Sequence, residues 1–318
     1  MNHARMLGRF LLVGTLLALV AGLGASPQAA GQQVPQTRPS GTSGSSAPLA
    51  SGRPAAPRAP AWVPLPPQHA KFLDDVLRYW QQHTSKIERF RCRFKRWEFD
   101  STFGPGQNTA KTYAEGEIQY AAPDKGLFKA DVYKVFVRDK EHPEGHYVDR
   151  PPRADHWICD GKSIFKFDYV EKQLTEQVLP PEYRGRAITR GPLPFLFGAD
   201  AEDIKRRYWM RIITPPEKTK GEDREYWIEA IPKTQEDAAD YRVIHIMIDG
   251  KDFLPNRMDL YGRVAGNKQV YVFEKRDVNF SVLAEKLNIF HRQFYEPKLP
   301  GSEWKKVVYG AEQAQRPR

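Results

Sequence analysis

The sequence predicts an α+β fold, mostly β, in which one large antiparallel sheet curls into an open barrel. Three patterns predict it: an amphipathic helix comes first, short alternating segments with turn residues between them follow, and a short helical insertion divides these segments into two groups. The chain has 318 residues and a formal net charge of +10, and 40% of its residues are hydrophobic. That apolar content is enough for a core and excludes a chain that is disordered throughout.

Residues 1–25 are typical of a signal peptide. His3, Arg5 and Arg9 precede an apolar run from Phe10 to Val20, and small residues follow it. The run is shorter than the roughly 18 residues that span a bilayer comfortably. We therefore expect export to the periplasm or beyond the cell, and no integral membrane segment once the signal is cleaved.

The rest of the chain is predicted to divide into three parts. Residues 26–66 are rich in Pro, Ala, Ser and Gly, a composition that cannot bury enough apolar surface to offset chain entropy, and they are expected to form a disordered tether. Residues 67–290 are expected to form the folded domain. Residues 291–318 are expected to be a C-terminal extension and tail.

The first half of the domain begins with a helix predicted from Pro67 to Glu88. Its apolar stripe recurs at three- and four-residue steps and consists of Phe72, Val76, Trp80, His83 and Ile87. After Glu88 the period changes to two, which is typical of half-buried strands. The predicted strands are 90–95, 113–120, 126–137, 157–159, 163–167 and 172–179.

The second half begins with residues 191–198, an apolar patch between Gly and Pro breakers. Asp200 to Tyr208 is predicted to be a short helix, with Asp200 as its N-cap. The strands predicted after it are 209–213, 226–231, 241–248, 255–261 and 269–274. The apolar patch has two readings: a plug that closes the open end of the sheet core, or a movable lid over a lipophilic cavity.

Motifs that indicate an enzyme or a nucleotide site fail on inspection. Gly161-Lys-Ser163 imitates the end of a phosphate-binding loop, but His156 stands where its first glycine is required, and the segment lies in an Asp-Gly hairpin. The sequence also has no Gly-x-Ser-x-Gly elbow. We expect no enzymatic activity and no cofactor.

Metal and paired-acid sites are not predicted either. His142 and His146 are four residues apart, but Pro143 and Gly145 make this stretch a loop instead of a helix face, so surface histidines without a metal are expected. The loop acids are expected to be solvated; they are Asp149, Asp155 and Asp160.

Two basic stretches raise the question of an anionic partner. Residues 91–97 mix Arg and Lys with aromatic side chains, and residues 205–207 are Lys-Arg-Arg. Such surfaces bind nucleic acid, but the export signal argues against that partner. A solvated strand face is expected, with contact to an anionic envelope surface as the alternative.

The sequence does not decide whether its two cysteines, Cys92 and Cys159, form a disulfide. The cell envelope is oxidising, which favours a bridge. Both residues also lie on apolar strand faces, where free buried thiols are equally natural. In a simple meander their strands are not neighbours.

The order of these features resembles the periplasmic lipoprotein-carrier family, the LolA/LolB-like half-barrel. The residues that carry the resemblance are Gly116–Pro123 with Phe128-Lys129, Asp160–Asp168, Leu193–Gly198, Ile204–Tyr208, Glu229–Lys233 and Gly266–Asn279. Residues 191–200 more closely resemble an uncharacterised secreted domain family of planctomycetes. The resemblance covers about residues 68–280 and implies helices across the concave face of an incomplete barrel, enclosing an apolar cavity for acyl chains.

The resulting hypothesis is an exported, non-enzymatic domain that binds a lipid or an acylated protein. The candidate cavity residues are Phe94, Ile118, Phe128 and Ile164 from the sheet, and Phe195, Leu196, Ile204 and Tyr208 from the lid segment, residues 193–208. The first alternative is a structural or protein-interaction protein of the envelope whose half-barrel is filled by its own side chains. The second is a hydrolase of envelope polymers.

Overall fold

The computed structural model describes residues 57–106, 108–153, 155–181, 184, 200–214, 225–239, 241–280, 295 and 297–310. The predicted signal peptide, most of the tether and the apolar patch at 191–198, with Phe195 and Leu196, lie outside these described residues.

Two α-helices and thirteen strands are present in the described chain. They are α1 (Pro67–Thr84), β1 (Arg89–Phe99), β2 (Thr112–Ala121), β3 (Lys125–Val137), β4 (His146–Asp149), β5 (His156–Asp160), β6 (Ser163–Asp168), β7 (Gln173–Val178), α2 (Ala201–Arg207), β8 (Tyr208–Ile213), β9 (Glu225–Pro232), β10 (Val243–Asp249), β11 (Pro255–Tyr261), β12 (Lys268–Val278) and β13 (Lys305–Tyr309).

All the strands belong to one open sheet. Its order is β13-β7-β6-β5-β3-β2-β1-β12-β11-β10-β9-β8, and β4 pairs with the far end of β3. Every pairing is antiparallel except that of β13 with β7, which is parallel. The predicted α+β class with one large antiparallel sheet is therefore confirmed. The strands that were not predicted are β4, which lies in the polar 139–155 loop, and β13.

The sheet has an inner face, which packs against α1, and an outer face. Strand β1 shows the alternation: Phe90, Cys92 and Phe94 are buried on the inner face, whereas Arg91 and Arg93 point outward. The outward basic residues of β1 are matched by acids on β12 and β3, in the pairs Arg91–Asp277, Arg93–Asp131 and Lys95–Glu274. The predicted basic strand is thus a paired, solvated surface, and such exposed pairs contribute little to stability.

Helix α1 buries a face that differs by one residue from the predicted stripe. The buried residues are Leu73, Val76, Leu77, Trp80 and Thr84, whereas Phe72 is 49% exposed and His83 is exposed. The helix begins with Pro67 in its first turn and ends at Thr84, four residues before the predicted end. Val76, Trp80 and Ile87 of the predicted stripe are buried. The prediction was wrong at Phe72 and His83, because the aliphatic Leu73 and Leu77 join Trp80 in the core instead.

Helix α2 is capped as predicted and is tied to α1. The carboxylate of Asp200 accepts hydrogen bonds from the backbone N–H groups of Glu202 and Asp203, at 2.9 and 3.1 Å. Gln81 of α1 donates to the Asp200 carboxylate at 3.0 Å and accepts from the backbone N–H of Ala201 at 3.1 Å.

The folded region extends beyond the predicted boundaries at both ends. On the N-terminal side, Leu65 packs against the inner core and the Arg211 guanidinium lies 4.9 Å over the ring of Trp62. On the C-terminal side, Trp304 is buried in a cluster on the outer face with Leu127, Ile158, Phe165, Phe167 and Leu174. The C-terminal extension therefore covers part of the outer face and adds the edge strand β13.

Gly116 allows two strands and an aromatic ring to approach closely. It lies opposite Phe94 in the β1–β2 pairing. A Cβ at this position would lie 2.0 Å from the carbonyl oxygen of Lys129 and 2.7 Å from Cε1 of Phe94. The backbone oxygen cannot rotate away, so any side chain here must separate β2 from β3.

We predict that Gly116→Ala lowers the free energy of unfolding by about 2 kcal/mol or more, because the added methyl group overpacks the sheet. Denaturant titration of the full chain measures this. The control is Gly262→Ala, whose added Cβ meets nothing nearer than the Asn267 Cβ at 3.3 Å. Equal stability of the two variants would contradict the role assigned to Gly116.

Candidate functional site

The inner face of the sheet is a continuous apolar surface that runs from β8 to β6. Cross-strand pairing joins its residues in register, for example Met210 with Ala230, Ile246 with Met258, and Ile118 with Phe128. Its buried members on the strands include Tyr208, Met210, Ile228, Ala230, Ile244, Ile246, Ile248, Met258, Leu260, Tyr271, Phe273, Phe90, Cys92, Phe94, Ala114, Ile118, Phe128, Ala130, Trp157, Cys159 and Ile164.

The four sheet residues predicted to line a cavity lie together on this face. Phe94, Ile118, Phe128 and Ile164 are all at most 3% exposed and belong to one cluster. The rings of Phe94 and Phe128 stack at 4.6 Å, and the ring of Phe128 stacks on Trp157 at 5.9 Å. These aromatic side chains form the floor of the inner face over β1, β3 and β5.

Ile204 and Tyr208, the two described candidate residues of the lid segment, belong to the same cluster but lie at its other end. Ile204 and Tyr208 are 2% and 4% exposed, and α2 packs against α1 and β8. The hydroxyl of Tyr208 lies 3.5 Å from a carboxylate oxygen of Asp237, which also pairs with Arg207. Phe195 and Leu196 lie outside the described residues.

A buried ion pair lies on the same inner face, two residues after Phe94 on β1 and two residues before Trp157 of β5. The guanidinium of Arg96 donates to both carboxylate oxygens of Asp155, at 2.6 and 2.7 Å, and the two side chains are 4% and 3% exposed. Burial lowers the pKa of Arg96 and Asp155 raises it, with a net upward shift that keeps the guanidinium charged. Next to this pair, burial raises the pKa of Glu98, whose carboxylate accepts a hydrogen bond from Thr112 at 3.0 Å.

The prediction of a solvated Asp155 was therefore wrong. Its backbone carbonyl accepts from the N–H of Ala130 at 2.7 Å, which continues the pairing of β3 with β5 and puts Asp155 in phase with Trp157 and Cys159. The two-residue period of the strands could have revealed this burial, because Asp155 and Arg96 each share the phase of the apolar residues on their strand.

A second cation, Lys166, faces the inner side where the apolar surface ends. It lies between Trp157 of β5 and Thr175 of β7, two residues from Ile164 on the same face. It is half-buried, burial lowers its pKa, and within the described chain it makes no ion pair. The sequence analysis missed Lys166, although its alternation with Ile164 could have revealed it.

Neither cysteine is bridged. Cys92 lies on β1 and Cys159 on β5, and β2 and β3 stand between them in the sheet. Three strand spacings of about 4.8 Å exceed the roughly 7 Å that a disulfide tolerates between Cα atoms. Burial raises the pKa of Cys159 to about 11 and also raises that of Cys92, so neither thiol is poised as a nucleophile.

No helix in the described part of the chain is long and apolar enough to cross a membrane.

Comparison with known proteins gives only distant structural likeness. No protein-family model matches the sequence, and no curated protein sequence matches it significantly. Similar solved structures include an uncharacterized conserved protein from Thermus thermophilus, 7% identical over 75% of this chain and 98% of that chain, with a TM-score of 0.36. A putative outer membrane lipoprotein-sorting protein domain from Vibrio parahaemolyticus is 11% identical over 70% and 97% of the two chains, with a TM-score of 0.33. A LolA superfamily protein from Nitrosomonas europaea is 9% identical over 66% and 94%, with a TM-score of 0.29. At these identities and TM-scores the likeness carries no functional information.

The free thiols predict a chemical titration. Dithionitrobenzoate should modify neither Cys92 nor Cys159 in the native protein, because both side chains are buried. In denaturant, without any reductant, it should modify both. A denatured chain with no reactive thiol would show that the bridge forms after all.

The ion pair predicts non-additive mutational effects. Arg96→Met and Asp155→Asn should each cost about 3–5 kcal/mol of unfolding free energy, because each leaves the partner charge buried and unpaired. The double variant should be more stable than the sum of the two losses implies, by about 2 kcal/mol or more.

The exposed pair Arg153–Glu171, with side chains 55% and 63% exposed, is the matched control. Its double-mutant cycle should give a coupling below about 0.5 kcal/mol. If the coupling between Arg96 and Asp155 were equally small, the pair would not be buried as described.

Proposed function

We propose that this is an exported, non-enzymatic protein that binds an amphiphile on the inner face of its sheet. The acyl-type tail lies on the apolar surface between the sheet and the lid segment, and an anionic headgroup pairs with Lys166. The ligand is a lipid or the acyl group of a modified protein. The site of action is the periplasm or the outside of the cell.

The observation that carries the proposal is the position of Lys166 at the end of the continuous apolar face. A half-buried lysine that makes no ion pair with any described residue loses hydration, and the described chain supplies no compensating charge. An anionic headgroup supplies that charge, while the tail gains about 25 cal/mol for each Å² of its own apolar surface that becomes buried, before ordering costs are subtracted.

The sheet topology supports a cover over this face. Strand β7 and helix α2 are consecutive in the chain, yet β7 lies next to one edge of the sheet and α2 leads into β8 at the other edge. Leu179, which follows β7, and Ala201, the first residue of α2, are both buried in the inner cluster. The described residues on both sides of residues 185–199 therefore contribute to the inner face, which supports the lid hypothesis.

A structural role is the second candidate. Six of the eight predicted cavity and lid residues are described, and all six are at most 4% exposed and contribute to one cluster. The stacked rings of Phe94, Phe128 and Trp157 favour a sheet filled by its own side chains. The two candidates differ in whether an amphiphile binds.

Lys166→Met tests the headgroup contact. We expect a dansyl-labelled fatty acid to bind the wild-type full chain and to bind the variant at least about tenfold more weakly, because one charge-assisted contact is lost. The corresponding dansyl-labelled fatty alcohol should bind both proteins alike. Fluorescence titration measures both affinities.

The control for that experiment is Lys162→Met, which removes an exposed lysine from the β5–β6 hairpin. It should leave both probes unaffected. Equal binding of the acid to the Lys166 and Lys162 variants would contradict the headgroup contact, whereas no binding of either probe to the wild type would contradict the proposed function as a whole.

Phe195→Ala tests the lid. As a lid residue, Phe195 contributes to ligand contact, so the variant should bind the fatty acid more weakly and keep most of its stability. As a plug of the core, the same change should cost about 3–5 kcal/mol of unfolding free energy without weakening the probe affinity of folded molecules. Phe103→Ala, at a side chain that is 71% exposed, is the control for both readouts.

A further inference from the structure

Three metal-ligating side chains meet in the hairpin between β3 and β4. Asp139, His142 and His146 each present a ligand atom within 4.8 Å of the others. A carboxylate oxygen of Asp139 lies 3.3 Å from Nδ1 of His142, and the other carboxylate oxygen lies 4.0 Å from Nε2 of His146. The centroids of the two imidazole rings are 4.3 Å apart, and the ring planes are tilted by 49° to each other.

The hairpin backbone holds these residues in place. His146 opens β4 opposite Val137 of β3, so its position is fixed by the sheet. Gly145 has a φ of +91°, and a Cβ there would lie 2.2 Å from the ring of Phe136, so the turn requires glycine. This turn brings His142 back toward His146 even though Pro143 prevents a helix.

The carboxylate of Asp139 is oriented by the same loop. It accepts the backbone N–H groups of His142 and Glu141, at 2.7 and 3.0 Å.

The local charge around these three side chains favours a cation more than the net charge of the whole chain does. Residues 138–146 contain two basic side chains, Arg138 and Lys140, and three acidic ones, Asp139, Glu141 and Glu144, which gives a local charge of −1 in a chain of +10.

We propose that Asp139, His142 and His146 bind one Zn²⁺ ion, with water completing its coordination. Two imidazoles and a carboxylate are borderline ligands that prefer zinc and its neighbours in the first transition row over Mg²⁺ or Ca²⁺. Around zinc, with bonds of about 2.0 Å, ligand atoms lie roughly 3.3 Å apart. The ligand atoms of the present cluster lie within 4.8 Å of one another, so a contraction of at most about 1.5 Å at any pair, within an exposed loop, reaches that spacing. The bound ion joins the loop to the first residue of β4 and so fastens the hairpin.

Isothermal titration of the full chain with ZnCl₂, without a histidine tag, tests the site. We expect one ion per chain, with His142→Ala and Asp139→Asn each weakening the affinity at least about tenfold. MgCl₂ should give no binding. The control is His69→Ala, which removes an exposed histidine in α1 and should leave zinc binding unchanged.

Co²⁺ supplies a second readout, since its visible absorption reports nitrogen and oxygen coordination. Cobalt absorption should appear with the wild type and with His69→Ala, and should be lost with His142→Ala. His142 and Asp139 are about half exposed, so their variants should unfold at the temperature of the metal-free wild type. Absence of zinc binding to the wild type, or undiminished binding to His142→Ala, would overturn the proposal.

Discussion

An unclosed sheet with one continuous apolar face must cover that face, and most of the architecture follows from this constraint. Helix α1 covers part of it with Leu73, Leu77 and Trp80, and α2 is fastened beside α1 through the cap at Asp200. The outer face carries an apolar cluster over β5, β6 and β7, where the C-terminal segment supplies Trp304 and the edge strand β13. Elsewhere it carries cross-strand ion pairs in water, which add little stability and keep the face soluble.

Charge on the inner face has a different consequence from charge on the outer face. The bidentate contact between Arg96 and Asp155 neutralises two buried charges and joins β1 to the start of β5, across the intervening β2 and β3. Such a pair specifies how the strands are arranged more than it stabilises the fold, because its desolvation offsets much of its attraction. Lys166 has no such partner in the described chain. For this reason we propose Lys166 as the residue that contacts an anionic headgroup.

The sequence predicted those elements whose periods are strong. The Asp-Gly hairpin located both ends of β5 and β6 within one residue, and the two-residue alternation located the start of β1 within one residue, although β1 continues four residues beyond its predicted end. Phe94, Ile118, Phe128 and Ile164 were placed on one face by the same alternation. The predicted buried stripe of α1 differs from the observed one because Phe72 and His83 fit a helical period as well as Leu73 and Leu77 do. Only tertiary packing decides which of these residues are buried. Strand β13 depends on long-range pairing with β7, and the cluster of Asp139, His142 and His146 depends on the tight turn at Gly145. Neither long-range pairing nor a tight turn leaves a periodic pattern in the sequence.

The central claim is that the inner face receives an amphiphile as well as its own side chains. Native mass spectrometry of the full chain, purified from the cell envelope without detergent, tests this most directly. Our account predicts a population of molecules that carry a noncovalent adduct, which collisional activation releases as an anionic acyl-containing species. Lys166→Met should reduce that population while Lys162→Met should not. A wild-type spectrum with only the mass of the bare chain, which also stays bare after incubation with fatty acid, would contradict the claim and leave a sheet filled by its own core.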